Sequence, residues 1–535
     1  MPRYSYARFP YRTPPELSGG KAFNAPVAIV GAGPVGLAAA LDLALHGIRC
    51  VVLDDNDVVS LGSRAICWSK RTLEIFDRLG VADPMLEKGV TWKVGRLFHR
   101  DREVWSFDLL PEAGHKMPAF INLQQYWVEQ YLVERARAFP DLIDLRWKNR
   151  VTGVSPRADG VRVTVDTPDG SYDLDAEWLI ACDGARSPVR SMLGLDFEGR
   201  VFEERFLIAD VEMKADFPSE RWFWFEPPFH SGQSALLHKQ PDDIWRIDLQ
   251  LGWDADPEEE KKPENVIPRI EKIVGDRPFE LDWVSVYTFQ CRRLAKFVHG
   301  RIVFAGDSAH IVSPFGARGG NGGIQDVDNL VWKLAMVLRG DAPEGLVATY
   351  DEERVHGADE NILNSSRATS FMTPKTEMER VFRDSVLDLA GEHEFARRLV
   401  NSGRLSRPCS LAGLSLQTPA ADGSGVEPGQ AMPDAPVGDG DWLLNHFGGR
   451  FAVMAVEADI PDGVPPGLDR ILVTADRSRG IDGVTVLFDA EGLVAARYGA
   501  GNVYLVRPDQ HVAARLEAAT RERVKAALAR ATGRV

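Results

Sequence analysis

A glycine-rich turn near the start of the chain has the residue types and spacing of a phosphate-binding loop. The turn follows an apolar strand, residues 26–30, and precedes a helical stretch, residues 35–46. Its first glycine allows a tight turn, its second admits a pyrophosphate against bare backbone, and its third lets helix and strand pack closely. The helix N-terminus presents free N–H groups to the phosphates. We therefore predict a dinucleotide site formed by Gly31, Gly33, Pro34 and Gly36.

An acidic residue is expected at the end of the next strand, where it would accept a ribose hydroxyl. Asp54 ends the apolar stretch 49–53 and lies about 20 residues after Gly36, as this motif requires. Asp55 is adjacent and is an alternative, although alternation along the strand favours Asp54. The motif by itself leaves NAD and FAD open as the bound dinucleotide.

Two further motifs place a carboxylate and small residues at strand ends. One follows the apolar segment 178–181, and the other follows the apolar segment 302–305. Taken separately, either motif is also typical of an ordinary turn, since Asp-Gly is a common turn dipeptide. The candidate ligand-binding residues in these two motifs are Asp183, Gly184, Arg186, Gly306 and Asp307.

Together and in this order, the three motifs resemble those of the group A flavin-dependent aromatic monooxygenases, which have the p-hydroxybenzoate hydroxylase fold. The resemblance covers about residues 25–385. It implies that the dinucleotide is FAD and that Asp307 binds a ribityl hydroxyl. It also implies that residues 314–321 run along the isoalloxazine, where Arg318 adds a cation. The residues expected to contact the flavin in this segment are Pro314, Gly319, Gly320 and Asn321.

The same resemblance implies that NADH or NADPH binds transiently at the flavoprotein surface as electron donor. Arg64 matches an arginine near the flavin phosphates that also contacts the donor, and Gln125 matches a flavin-contacting glutamine. Asp183 and Arg186 are candidates for contact with both nucleotides. Without the family, Arg64 would be interpreted as a surface residue and Gln125 as a polar residue at a helix N-terminus. The sequence contains neither a second strand, glycine-rich turn and helix unit nor the CxxC of a flavin disulfide reductase.

The reaction that the resemblance implies inserts one oxygen atom of O₂ into a phenolic ring through a flavin C4a-hydroperoxide. The substrate is expected on a sheet that includes the aromatic run 222–229, of which only half can face the cavity if the run alternates on a strand. Hydroxylation of a phenol needs a base or acceptor near the phenol oxygen. We predict His238 and Tyr287 as the catalytic residues. The polar alternatives are His230, Arg246 and Arg292.

The predicted fold class is α/β, with a Rossmann-like FAD-binding domain, an inserted β-sheet substrate domain and a C-terminal thioredoxin-like domain. Strands are predicted over 161–167, 174–181, 451–456, 470–475 and 484–488, and helices over 125–138, 323–338 and 512–530. The predicted boundaries are an N-terminal arm (1–24), the FAD-binding domain with interdomain helices (25–200 and 295–400), the substrate sheet (201–294), a Pro/Gly-rich linker (401–440) and the C-terminal domain (441–535).

The thioredoxin-like domain is inferred from a second resemblance. Arg507-Pro508-Asp509, with Val512-Ala513 after it, resembles the ending of larger family members related to phenol hydroxylase and 3-(3-hydroxyphenyl)propionate hydroxylase. The last cysteine is Cys409, so the C-terminal domain has no thiol for redox exchange. A structural role, or one in supporting a homodimer, is therefore expected.

The composition restricts the partners of the chain. Apolar residues make up 44% and charged residues 26%, as in ordinary globular proteins, and a formal net charge of -15 disfavours nucleic acid or an anionic membrane. There is no signal peptide or membrane-spanning apolar run, and five scattered cysteines indicate neither a disulfide framework nor a metal site. We expect a cytoplasmic protein whose partners are a small aromatic substrate, O₂ and NADH or NADPH.

Two other functions share all of these motifs. One is a tailoring hydroxylase that acts on an aromatic of the polyketide or antibiotic type. The other is an FAD oxidoreductase that does not hydroxylate.

Overall fold

The computed structural model of the chain describes residues 4–20, 23–62, 64–252, 254–400, 407–421, 423–438 and 440–535. These residues form three large sheets, of six, eight and five strands, with helices packed around them. Two small three-stranded sheets and one two-stranded sheet complete the strand inventory of the described ranges. The architecture is of the α/β class predicted from the sequence.

The six-stranded sheet is parallel except for one edge strand, and its central strands are short and apolar. Val27–Val30, at its centre, is buried at every residue, as expected for a strand covered by helices on both faces. In spatial order the strands are Val298–His299, Ile302–Phe304, Trp178–Ala181, Val27–Val30, Cys50–Asp54 and Ile143–Trp147.

The topology of this sheet brings the three sequence motifs to one place. Ile302–Phe304, Trp178–Ala181 and Val27–Val30 are neighbours and run parallel, so the motifs that follow them lie at the same edge of the sheet. Helix Pro34–Leu45, called here the nucleotide helix, packs against helix Gly319–Leu338, called the cleft helix. Open parallel sheets bind ligands at the carboxyl ends of their strands, and this edge is where we place the candidate site.

The cleft helix begins four residues earlier than the predicted helix 323–338 because its glycines are helical and lie against neighbouring elements. A Cβ on Gly323 would lie 3.0 Å from the Cα of Gly306, and a Cβ on Gly320 would lie 3.3 Å from the Trp68 ring. Glycine is therefore used here for close packing rather than for turning the chain.

Residues predicted as one strand, 174–181, form two strands of different sheets. Gly170–Ala176 pairs antiparallel with Val161–Thr167, whereas Trp178–Ala181 joins the central parallel sheet. The chain changes sheet at Glu177, whose N–H donates to the Pro26 carbonyl oxygen.

The fold also contains two small three-stranded sheets. One contains Arg150–Pro156, Val161–Thr167 and Gly170–Ala176, and the other contains Cys67–Ser69, Phe120–Asn122 and Val90–Trp92.

The eight-stranded sheet has two differently covered faces. One packs against helix Pro263–Val274, and the other faces Phe315 and helix Gly345–Met372. Three of its strands come from outside residues 201–294. In spatial order the strands are His310–Ile311, Glu280–Arg293, Glu198–Glu212, Ile244–Leu251, Ser234–Lys239, Arg221–Phe225, Val94–His99 and Arg102–Asp108.

The C-terminal unit is a mixed five-stranded sheet with helices Leu493–Tyr498 and Arg521–Ala531. The prediction of a helix over 512–530 is wrong in its first part, because Val512–Leu516 is a fully buried strand paired with Val503–Val506. The remaining strands of this sheet are Thr485–Phe488, Asp469–Thr474 and Ala452–Val456, and the two-stranded sheet is Pro436–Val437 with Asp441–Trp442. The thioredoxin-like character of the unit stays a prediction.

The predicted linker, 401–440, is packed rather than free over the part that the structure describes. Leu416, Val426 and Met432 are buried in the two hydrophobic clusters of the C-terminal unit. Residues 401–406 of the predicted linker lie outside the described residues.

The described part of the N-terminal arm lies across the FAD-binding domain. The Phe9 ring stacks on Trp147 with 4.4 Å between centroids, and the Tyr6 hydroxyl accepts a hydrogen bond from the Gly62 N–H at 3.0 Å. None of the described helices is both long enough and apolar enough to cross a bilayer. The remaining helices are Pro15–Ser18, Lys70–Arg78, Ala82–Lys88, Gln125–Ala136, Pro188–Met192, Pro257–Glu260, Glu377–Ala390 and Glu394–Val400.

Candidate functional site

The glycine turn has two closely packed glycines and one that faces open space. Gly31 has φ of 102°, and a Cβ there would lie 2.5 Å from the Cys182 carbonyl oxygen. A Cβ on Gly36 would lie 1.9 Å from the Gly31 carbonyl oxygen. A Cβ on Gly33 would meet no described atom within 4 Å, so the backbone beside Gly33 is open on the side where a pyrophosphate would lie.

Asp54 braces this turn from the neighbouring strand. Its carboxylate accepts hydrogen bonds from the Ala32 N–H at 2.6 Å and from the Asn56 N–H at 2.8 Å. Burial raises the pKa of Asp54, and these two N–H groups oppose the rise. The carboxylate thus holds the phosphate loop in shape in addition to the ribose contact predicted for it, while Asp55 is exposed.

Asp183 has one occupied and one unoccupied carboxylate oxygen. Oδ2 accepts a hydrogen bond from the Val189 N–H at 2.9 Å, whereas Oδ1 is buried and has no partner among the described residues. Gly184 follows with φ of 79° and open space around its Cα, and the Arg186 side chain is exposed. A buried, unpartnered oxygen beside an open glycine fits a ligand hydroxyl or N–H at this position.

Asp307 projects into the cleft between the sheet edge and the cleft helix. No protein donor bonds to its carboxylate within the described ranges, and the side chain opens to the cleft. The protein around the cleft reduces hydration of the Asp307 carboxylate and so raises its pKa, and the nearby His310 and Arg64 oppose the rise. Gly306, before it, has φ of 66° and packs against Val35 of the nucleotide helix.

The segment before the cleft helix contains a strained residue. Ala317 has φ of 52°, a left-handed conformation that costs a non-glycine residue on the order of 1 kcal/mol. Pro314 is exposed and accepts a hydrogen bond from the Ala317 N–H at 3.0 Å, which closes a turn. The helix then begins at Gly319 without a side-chain cap, so its first N–H groups and Gly320 remain available to a ligand.

The Asn321 side chain forms hydrogen bonds with the protein backbone. Its Oδ1 accepts from the Ser69 N–H, and its Nδ2 donates to the Cys67 carbonyl oxygen, both at 2.9 Å. The side chain therefore joins the cleft helix to the strand Cys67–Ser69. Its flavin contact stays a prediction.

Gln125 and Arg64 lie on either side of one loop. The Gln125 Oε1 accepts from the Ala65 N–H at 3.1 Å, and its Nε2 donates to the buried Glu129 at 2.8 Å. The Arg64 side chain is exposed, while its carbonyl oxygen accepts from Arg246 Nη1 at 3.2 Å. The loop backbone is thus fixed, and the Arg64 cation is presented near Asp307.

These features fit FAD. Two long helices point uncapped N-termini at the cleft, which stabilises phosphates at one and the electron-rich pyrimidine edge at the other. Three groups at the cleft are open to a nucleotide. They are the backbone at Gly33, the Asp183 Oδ1 and the Asp307 carboxylate. The flavin contacts of the residues named from the sequence, Asn321 included, stay predictions.

An aromatic cavity of about 180 Å³ lies between the eight-stranded sheet and helix Gly345–Met372. Phe223 and Phe225 line it, whereas Trp222 and Trp224 point to the other face, toward helix Pro263–Val274. Phe315 and Gly316 line the cavity as well, so it directly adjoins the segment that leads into the cleft helix. The alternation expected for the aromatic run is confirmed.

The two predicted catalytic residues lie on the cavity-facing side of the sheet but are not among the described residues that line the cavity. His238 is buried, its Nε2 lies 4.0 Å from Asp248 Oδ2, and burial with the neighbouring Arg221 and Arg246 lowers its pKa well below the usual value. Tyr287 is half-buried beside Trp283. Neither side chain is among the described residues that line the cavity, and their catalytic roles stay predictions.

Sequence reasoning missed Arg221, which lines the cavity and is 5% exposed. The signal that could have found it is strand alternation, since Arg221 shares a face with Phe223 and Phe225. Two of the polar alternatives predicted from the sequence, His230 and Arg292, bond to backbone carbonyl oxygens instead. His230 bonds to the Gln250 carbonyl oxygen at 2.6 Å, and Arg292 bonds to the Phe197 carbonyl oxygen at 2.9 Å.

Arg507 and Asp509 of the predicted family ending join the C-terminal unit to the FAD-binding domain. Arg507 forms hydrogen bonds with both Glu353 oxygens at 2.6 and 3.0 Å and with Asp509 at 2.6 Å. Lys333 of the cleft helix bonds to the same Glu353 at 2.7 Å. All four side chains are buried, and this ionic cluster ties the C-terminal unit to the helix whose N-terminus faces the cleft.

Comparison with known proteins agrees with this geometry. The FAD binding domain family matches residues 24–365. A flavin-dependent monooxygenase of Mycobacteroides abscessus is 33% identical over 357 residues, which cover 62% of this chain and 71% of that protein. A 3-(3-hydroxy-phenyl)propionate/3-hydroxycinnamic acid hydroxylase of Mycolicibacterium smegmatis is 29% identical over 68% of this chain, and the match spans less than two thirds of that relative, 64%.

Among solved structures, the flavin-dependent monooxygenase PieE, determined in complex with FAD and substrate, has the same fold. It superposes with a TM-score of 0.78 at 22% identity, covering 96% of this chain and 99% of PieE. The sequence match over residues 24–365 includes every motif of the cleft described above. The chain therefore belongs to the FAD binding domain family.

Proposed function

We propose that the protein is an FAD-dependent aromatic hydroxylase that uses NADH or NADPH and O₂. The observation that carries this proposal is that the aromatic cavity adjoins the flavin cleft. Phe315 and Gly316 line the aromatic cavity and directly precede the cleft helix, whose uncapped N-terminus lies at the flavin site. A ring held in the cavity is thus next to the flavin site. FAD, when bound, supplies the redox chemistry and the activation of O₂.

The chain's own residues bind, orient and exclude water. Gly33, Asp183 and Asp307 provide the contacts for the nucleotide and ribityl chain, and the two helix N-termini stabilise its negative charge. Phe223, Phe225 and Phe315 form apolar walls that keep a ring dry and oriented.

Activation of a phenol is assigned to His238 and Tyr287 as a proposal. The lowered pKa of His238 keeps its imidazole neutral at neutral pH, so the ring can accept a hydrogen bond from a phenol hydroxyl. His238 is directly opposite the cavity-lining Arg221 in the sheet register, so its ring lies beside the cavity. Arg64 is proposed to receive the nicotinamide donor, since its cation is exposed at the mouth of the cleft.

Two neighbouring aromatic residues provide a matched test of the cavity. Phe223→Leu changes the cavity wall, and Trp224→Leu makes a similar change on the opposite face of the same strand. With a panel of phenols, NAD(P)H oxidation and hydroxylated product are measured together. We expect Phe223→Leu to lower the fraction of NAD(P)H converted into product and Trp224→Leu to preserve it.

Equal loss in both variants would contradict the assignment of the cavity. A wild-type protein that oxidises NAD(P)H and releases only hydrogen peroxide with every phenol would instead favour the non-hydroxylating alternative.

A further inference from the structure

The described residues of the loop that carries Arg64 belong to no helix or strand. This loop, called here the Arg64 loop, connects strand Cys50–Asp54 to strand Cys67–Ser69. Three of its backbone N–H groups donate to side chains of other elements. The pairs are Ser60 with Glu129 at 2.5 Å, Gly62 with Tyr6 at 3.0 Å and Ala65 with Gln125 at 3.1 Å. Because a segment without a backbone ladder keeps its shape through such contacts, the loss of one raises the population of open conformations.

One of these contacts comes from the N-terminal arm. The Tyr6 hydroxyl accepts the Gly62 N–H, and the Tyr6 ring packs edge-on against Tyr126 with 5.7 Å between centroids. Gly62 is buried, so water does not fully replace the hydroxyl if it is removed. The region that matches the FAD binding domain family begins at residue 24. Tyr6 therefore adds a contact to the Arg64 loop from outside that region.

Gly62 is held from two sides. It has φ of 73°, and a Cβ there would overlap the Trp283 indole of the eight-stranded sheet. The Arg246 guanidinium carbon lies 5.7 Å from the Trp283 ring centroid, and Arg246 Nη1 donates to the Arg64 carbonyl oxygen at 3.2 Å. Tyr6 of the arm and Trp283 of the sheet thus enclose the chain two residues before Arg64.

The arm also contacts the first part of the Arg64 loop. Arg8 Nη1 lies 2.9 Å from Asp57 Oδ2, and the Phe9 N–H donates to the Asp57 carbonyl oxygen at 2.7 Å. The arm therefore contacts the loop at Asp57 and again at Gly62. These contacts are a hydrogen bond to a side chain, an ion pair and a backbone hydrogen bond, so three different interactions join the two segments.

Resting on the proposed function, in which Arg64 receives the nicotinamide donor, we infer that Tyr6 is a positioning residue for that donor. The arm holds the Arg64 loop against the sheet and thereby fixes the backbone that presents the Arg64 cation. A cation on a fixed backbone binds an anionic nucleotide without first ordering the loop, which lowers the entropic cost of binding. Tyr6 acts through the loop rather than on the nucleotide.

Two tyrosines of the same arm provide a matched test. Tyr6→Phe keeps the ring and removes the acceptor of the Gly62 N–H. Tyr11 donates to Asp169 at 3.0 Å, so Tyr11→Phe removes a hydroxyl of the arm without changing a contact of the Arg64 loop. Retained flavin and an unchanged circular dichroism spectrum show that each variant has folded.

Stopped-flow reduction of the holoenzyme flavin at low concentrations of NADH and NADPH is the measurement. We expect the second-order rate constant with the preferred donor to fall about three- to tenfold in Tyr6→Phe, the range that the loss of one hydrogen bond to a buried group gives. Tyr11→Phe should react as the wild-type protein does. The affinity for FAD and the rate of reduction by dithionite should be unchanged in both variants, because neither depends on a donor held by Arg64.

A double variant tests whether Tyr6 acts through Arg64. If it does, Tyr6→Phe slows reduction no further when Arg64→Ala is already present, because coupled residues are not additive. Equal slowing by Tyr6→Phe in the presence and absence of the Arg64 side chain overturns the inference. So does a Tyr6→Phe variant that NADH and NADPH reduce at the wild-type rate.

Cleavage by trypsin after Arg64 gives a second readout that needs no donor. Proteolysis follows the population of open conformations, so Tyr6→Phe should be cut at this exposed arginine about three- to tenfold faster than the wild-type protein and Tyr11→Phe. Equal cleavage rates in the three proteins overturn the inference. Faster cleavage and slower reduction in Tyr6→Phe, in a protein that forms no hydroxylated product, uphold the inference and contradict only the assignment as a hydroxylase.

Discussion

Arg246 joins the eight-stranded sheet to the loop that carries Arg64. Its Nη1 donates to the Arg64 carbonyl oxygen at 3.2 Å, while Nε and Nη2 bond to the two oxygens of Asp210 at 2.8 Å. The sheet that forms the aromatic cavity therefore also fixes the backbone of the loop proposed to receive the nicotinamide donor. The Arg64 side chain itself stays exposed.

We expect Arg64→Ala to slow reduction of the flavin by NADH or NADPH more than it weakens FAD binding. The loop backbone keeps its contacts with Arg246 and Gln125, so the substitution removes the cation and little else. Stopped-flow reduction and flavin titration measure the two effects. Arg64 has no role toward the donor if the reduction rate equals that of the wild-type protein.

Gly33 and Gly36 should respond to alanine in opposite ways. Gly33→Ala places a methyl group in open space with a permitted backbone, so the apoprotein should keep its melting temperature while FAD binds more weakly. Gly36→Ala places a methyl group 1.9 Å from the Gly31 carbonyl oxygen and should destabilise the fold itself. Thermal unfolding and FAD titration of both variants are the measurements. Unchanged FAD affinity in Gly33→Ala would mean that the nucleotide lies elsewhere.

Asp307→Ala should yield protein that purifies without flavin. The carboxylate opens to the cleft and bonds to no donor in the described protein, so its removal costs a ligand contact and no internal one. Asp276→Ala, at an exposed position on the eight-stranded-sheet domain, is the control and should retain the yellow colour. Full flavin content in Asp307→Ala would exclude the ribityl contact.

Arg507→Met should destabilise the protein by about 3–5 kcal/mol, because it leaves Glu353 and Asp509 buried without their main cation. Arg507 holds the pKa values of both carboxyls well below their usual range. Stability from such depressed pKa values is complete above the unfolded value and is lost as the pH falls toward the folded one. The difference in unfolding free energy between wild type and variant should therefore be largest at neutral pH and shrink below about pH 4. A difference independent of pH in denaturant unfolding would contradict this account.

Local sequence patterns predicted the parts of the site that lie at strand ends. The Gly31 turn, the Asp183 motif and the Asp307 motif each follow an apolar strand, and the parallel order of those strands brings them together. Alternation also predicted that half of the aromatic run would face the cavity, and the structure shows that Phe223 does and Trp224 does not. These features depend on a few consecutive residues, which is why the sequence alone indicates them.

The remaining features depend on partners far along the chain. Arg221 and Arg246 are both strand arginines, and only the fold shows that Arg246 bonds to Asp210 while Arg221 Nε and Nη1 have no hydrogen-bond partner among the described residues. Residues 512–516 were predicted as helix, because the burial of that strand between other elements has no signal in its own sequence. Asn321 likewise bonds to a strand some 250 positions away in the chain.

The proposed reaction transfers one oxygen atom of O₂ to an aromatic ring. Its test is turnover with NAD(P)H and a phenol under isotopically heavy dioxygen, followed by mass spectrometry of the arene. We expect a ring-hydroxylated product that carries one heavy oxygen atom and forms in proportion to the NAD(P)H consumed. Hydrogen peroxide that contains all of the heavy oxygen, with the arene recovered unlabelled, would exclude oxygen transfer.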